Sequence, residues 1–102
     1  MNEFESLAEV LRVFAAERNW EKFHTPKNLA MALAGEAGEL VAEFQWLTAK
    51  ESEMQELSEA QVSAIAMEIA DVQIYLLRLA DVLEIDIPTA VREKVAINQQ
   101  RF

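Results

Sequence analysis

Apolar residues recur at helical spacing along almost the whole chain, and no segment alternates with period two. The pattern predicts a first helix from about Glu3 to Arg18, burying Phe4, Leu7, Val10, Leu11 and Phe14. The stretch Asn19–Thr25 breaks it. Thr25 followed by Pro26 reads as an N-cap and first helical position, where proline lacks only a donor that would be unused. A second helix is expected from there to about Leu47. Thr48 with Glu51, and Ser58 with Gln61, have the spacing of capping boxes. They predict a short helix or turn over residues 48–57 and a long third helix from Glu59 to about Leu83. Asp86-Ile87-Pro88 restarts a fourth helix that reaches the C-terminus. The fold class expected is all-α, a four-helix bundle.

The third helix is apolar around most of its circumference, through Ile65, Ile69, Val72, Ile74, Leu76, Leu77, Leu79, Val82 and Leu83. One neighbouring helix could not cover all of that, so the helix is expected to sit at a bundle centre or across a subunit interface. The chain has two glycines, Gly35 and Gly38, both inside the second helix. Each costs roughly 0.5–1 kcal/mol against alanine in a helix. Close approach of another helix or of a ligand is the expected compensation.

With 102 residues, residues 1–102 form one domain, and 52% apolar content sets it apart from disordered chains. A core this small is marginal alone, which again favours an oligomer. Cysteine is absent, which excludes disulfides and cysteine-ligated zinc. The opening residues lack a basic segment followed by an apolar one, and charged residues interrupt the longest apolar run. A cytoplasmic protein without signal peptide or membrane span is therefore expected. A net charge of −9 argues against nucleic-acid polymers as partners. It still permits a nucleotide, provided divalent cations stand between the two anions.

Carboxylates supply the candidate chemistry. Glu36 and Glu39 stand three apart, Glu43 comes four later, and at about 100° per residue all three share a face. Glu68, Asp71 and Tyr75 repeat the arrangement on the third helix. Like charges at such spacing repel. If the two helices pack antiparallel, four carboxylates converge between them and suit Mg²⁺, which takes carboxylate, phosphate and water oxygens. The competing reading is a solvated rim of two amphipathic helices. A di-iron bundle would need Glu-x-x-His from two helices, and the only histidine, His24, has no glutamate three before it.

Other residues admit two readings each. Trp20, His24 and Trp46 could stack on and select a base, or fill gaps in a core. Tyr75 could reach a phosphate or sugar, or pack inward. Asn28 could bond phosphate or brace a cap. Lys94, Asn98 and Arg101 share a face of the last helix, fitting phosphate contact or a solvated face that complements the helix dipole.

Gly-Glu-Ala-Gly-Glu at 35–39, with Glu-Ile-Ala-Asp at 68–71, resembles the signature of the all-α, MazG-like nucleoside triphosphate pyrophosphohydrolases. Similarity to the dCTP pyrophosphatase group rests on the segments 20–29, 43–46, 71–76 and 94–102, so it covers nearly the whole chain. The resemblance implies Mg²⁺, with Mn²⁺ as an alternative, held by Glu36, Glu39, Glu68 and Asp71. It implies cleavage of nucleoside triphosphates, dCTP-like deoxynucleotides among them, to monophosphate and pyrophosphate. It implies a homodimer or a dimer-of-dimers tetramer, the tetramer being the expectation here. It also favours a base pocket for Trp20, His24 and Trp46. Dimeric dUTPases and phosphoribosyl-ATP pyrophosphatase are siblings that the tryptophan–histidine segment argues against. Eukaryotic dCTP pyrophosphatases carry terminal extensions not seen in this sequence. Leu11, where a polar base contact would be expected, argues against strict cytosine preference.

In the mechanism this implies, Glu39 deprotonates the attacking water, Lys94 and Asn98 steady the leaving pyrophosphate, and Asn28 and Tyr75 contact the substrate. The biological expectation is removal of surplus or non-standard deoxynucleotides. A helical interaction module without catalysis is the rival from another class.

Overall fold

The computed structural model describes residues 1–102 as four α-helices and no strand: α1 (Glu3–Glu17), α2 (Pro26–Ala42), α3 (Glu59–Val82) and α4 (Ile87–Arg101). Local chemistry sets most of the boundaries. Asn2 opens α1 by accepting the Glu5 N–H at 2.8 Å. Thr25 accepts the Asn28 N–H at the start of α2, with Pro26 in its first turn. Ser58 and Gln61 form a reciprocal capping box at α3, with bonds of 2.8 and 3.1 Å. Asp86 accepts the Thr89 N–H at 3.0 Å and opens α4. Each cap satisfies backbone donors that have no partner within the helix.

The second helix stops short of the expected Leu47. After Ala42 the backbone tightens to three-residue bonds, Phe44 N–H to Val41 at 2.9 Å and Leu47 N–H to Phe44 at 2.9 Å. The Thr48–Glu51 pair does form its reciprocal bonds. Beyond it, though, the chain runs through turns and one 3₁₀ turn at Met54–Glu56 before α3 begins. A capping box closes one turn; it takes a buried apolar face to propagate it.

α1 and α3 both end on a left-handed residue that is not glycine, Asn19 at φ 58° and Glu84 at φ 56°. Behind each, a long bond closes the helix: Trp20 N–H to Ala15 at 3.0 Å, Ile85 N–H to Ala80 at 2.8 Å. The first reversal sets Trp20 edge-on against Phe14, ring centroids 5.6 Å apart.

α3 is the spine, packed along α2 and, less extensively, against α1. The core between them is thin: Ala15, Leu29, Leu77 and Ala80 are its only buried apolar residues. Met67, Ile69, Ile74 and Val82 of α3 remain exposed, with Leu83 just after it, as do Val91, Val95 and Ile97 of α4. The radius of gyration, 16.2 Å, exceeds the roughly 13 Å of a compact 100-residue domain. No helix is long and apolar enough to cross a membrane. The close approach expected at Gly35 and Gly38 is not found within the chain. The space where a β-carbon would stand is open to 4 Å at both.

Candidate metal centre and adjoining pocket

Glu36 lies in the middle of α2, and Glu68 and Asp71 lie one turn apart on α3. The pairing of the two helices brings one carboxylate oxygen from each of these three within 4.8 Å of one another. All three residues are half-buried. Burial and the neighbouring charges of Asp71, Glu39, Glu36 and Glu43 hold the Glu68 carboxyl above the usual carboxylate range. Negative charge concentrated this way is what a hard divalent cation would relieve, and three carboxylates can supply its oxygens. Glu39 is exposed and stands outside the triangle, one helical turn beyond Glu36, though its charge is felt at Glu68.

Beside the triangle opens a pocket of about 360 Å³. Its walls include Trp20, His24, Tyr75 and Ile74, with Glu36 and Asp71 on its carboxylate side. Three of the aromatic and imidazole groups singled out from sequence thus meet two of the carboxylates. Trp20 and His24 face each other at 56° with centroids 6.4 Å apart. An aromatic hollow against a carboxylate cluster can hold a flat ring while placing an attached anion near a bridging cation.

The other expected residues stand elsewhere. Trp46 lies in the turns after α2, 87% exposed, and does not line the pocket. Lys94 is exposed and Asn98 half-buried on α4, and neither lines it. Asn28 has a structural task, its side-chain amide donating to the Phe23 carbonyl at 3.1 Å and so bracing the turn that carries His24.

Arg78, which the sequence pattern did not single out, lines the pocket and is 5% exposed, the one buried charged residue. Its Nη1 donates to Asp81 at 3.2 Å, and Asp81 also receives two bonds from Arg12, at 2.7 and 3.0 Å. Those bonds hold the Asp81 carboxyl below the usual range. The available signal was an arginine inside an apolar helix, one turn beyond Tyr75. A second hollow of about 260 Å³, between α1 and the end of α3, is lined by Glu5, Glu9, Asp81 and Asp86 with Arg12, but these carboxylates do not converge as Glu36, Glu68 and Asp71 do.

The chain matches the MazG-like family over residues 32–102. It is similar to dCTP pyrophosphatase 1 of Homo sapiens, 48% identical over 89 residues, which cover 87% of this chain and 52% of that protein. The Rattus norvegicus protein of the same name is 46% identical, with the same shares. The chain spans about half the length of these curated relatives. A crystal structure of a pyrophosphatase from Archaeoglobus fulgidus superposes with a TM-score of 0.90 at 41% identity, covering 100% of this chain and 94% of that one.

Proposed function

Because the chain belongs to the MazG-like family, we propose that it is a nucleoside triphosphate pyrophosphohydrolase, converting dCTP-like deoxynucleotides to monophosphate and pyrophosphate. The observation that carries this reading is the adjacency of the Trp20–His24–Tyr75 pocket to the Glu36, Glu68 and Asp71 carboxylates. The solved relative is described as a pyrophosphatase and the curated relatives as dCTP pyrophosphatases, in keeping with it.

The metal assigned is Mg²⁺, with Mn²⁺ able to take its place, held by Glu36, Glu68 and Asp71 with Glu39 close by. Such an ion supplies positive charge against the phosphates and makes water more acidic. The chain's own groups do the rest. Trp20 and His24 embrace the base, and Tyr75 offers its hydroxyl to sugar or phosphate. Glu39, exposed on α2, takes the proton from the attacking water. Water adds at phosphorus, the bond between the α and β phosphates breaks, and the leaving pyrophosphate carries away the displaced charge.

Trp46, Lys94 and Asn98 are assigned to the substrate in an assembled protein, where a second copy carries them to the pocket. The assembly proposed is a cytoplasmic homotetramer built as a dimer of dimers. The thin core and the exposed apolar face of α3 support it. The reaction fits removal of unwanted deoxynucleotides.

Incubating the purified protein with each dNTP and NTP, with and without Mg²⁺, and separating the products tests the proposal. Monophosphate and pyrophosphate appearing only with the metal are expected. Orthophosphate with a remaining diphosphate, or no cleavage of any nucleotide, would sink it.

A further inference from the structure

His24 does not stand free in its pocket. The Nε of Arg78 donates to its Nδ1 at 3.2 Å, across 54 residues of sequence. A guanidinium has only donors to offer, so Nδ1 must present its lone pair. The neutral ring then carries its hydrogen on Nε2, which makes no hydrogen bond within the chain. Arg78 is itself fixed: it is buried, bonded to Asp81, and Asp81 is gripped in two places by Arg12. A chain of charge-assisted bonds therefore runs from the surface of α1 through α3 and ends on one nitrogen of the pocket histidine.

We propose that Arg78, anchored by Asp81 and Arg12, is a positioning residue that sets His24 as an Nε2–H donor and so selects a nucleotide acceptor, a base carbonyl or ring nitrogen rather than an amino group. Burial, and then the positive charge of Arg78, lower the His24 pKa, which keeps the ring neutral and agrees with this geometry. The proposal rests on the nucleotide reading above for the identity of the ligand, and on the hydrogen-bond chain alone for the state of the histidine. A merely structural arginine would pin α3 to α1 without regard to which nitrogen of His24 bears hydrogen.

His24 is the only histidine in the chain, so its ring gives one unambiguous set of signals. Long-range ¹H–¹⁵N spectra of the full-length wild type at neutral pH should show Nδ1 bare and Nε2 protonated. In Arg78→Met, where Asp81 keeps Arg12 as partner, the two tautomers should mix. KM for the preferred nucleotide should rise about two- to threefold, because only the Nε2–H fraction of rings stays competent, while kcat changes less. In a His24→Gln background the same arginine substitution should leave KM where it was.

A wild-type ring protonated at Nδ1, or an Arg78→Met effect undiminished in the His24→Gln background, would overturn the proposal. Should Arg78→Met fail to fold, the wild-type spectrum still decides it. Absence of turnover by the wild type would count against the enzymatic reading, while the same spectrum still answers for the histidine.

Discussion

Asn19 and Glu84 hold left-handed backbone at the ends of α1 and α3, where glycine would be free of strain. Asparagine tolerates that region; glutamate does so at a cost of roughly 1–2 kcal/mol. Glu84→Gly should therefore stabilise the protein by about 0.5–1 kcal/mol, net of the greater freedom of the unfolded chain, as measured by urea unfolding. Asn19→Gly should gain less. Both helix ends were read to within a residue, at Arg18 and Leu83, but the left-handed residues that follow were not, because the sequence cue for one is glycine and both glycines stand inside a helix. Arg78 was illegible for a different reason. Its position in an apolar run was plain, but its partner His24 is distant in sequence, and only the packing of α3 brings the two together.

At the level of elements, caps were the readable part. Thr25, Ser58 and Asp86 each open a helix through bonds that depend only on residues three apart. The end of α2 was not readable from such cues, since the apolar pattern continues through Phe44 and Leu47 while the backbone tightens into turns. The pairing of α2 with α3 was a condition the sequence left open, and in the structure it concentrates charge at Glu68. Folding raises that carboxyl's pKa, so its ionisation costs stability at neutral pH. That cost shrinks as pH falls through the raised value and is gone below the ordinary carboxyl range. Asp81 works in the opposite sense: its contribution is full above the ordinary carboxyl range and is lost as pH falls through its lowered folded value. Glu68→Gln should accordingly raise the melting temperature of the metal-free protein near pH 7. The same change should shrink the further rise on adding Mg²⁺, and scanning calorimetry with and without the ion reads both effects. A Glu68→Gln protein that melts lower without metal would contradict the picture of a repulsive cluster.

Taken as a whole, the molecule is more open than its length warrants, with a sparse core and apolar faces on α3 and α4 turned outward. The all-round apolarity of α3 was evident in the sequence. That α4 packs extensively on none of the other helices was not, because periodicity reveals that a helix has a face without revealing what covers it. If identical chains cover those faces, stability becomes a property of concentration. For a dimer whose subunits do not fold alone, each tenfold dilution should cost roughly 1.4 kcal/mol. Melting temperature tracked over a dilution series, alongside sedimentation velocity, should show the two falling together. A melting temperature independent of concentration would mean that the single chain stands alone after all.

The open space beside Gly35 and Gly38 gives this a practical edge. Within one chain, alanine at either position meets nothing and gains helix propensity, so a thermostabilisation screen on unassembled protein would choose it. Once another surface or a ligand lies against α2, the same methyl group occupies ground that the glycine had kept clear. A library sorted for folding and a library sorted for turnover should part company at these two codons, the first drifting to alanine and the second holding glycine.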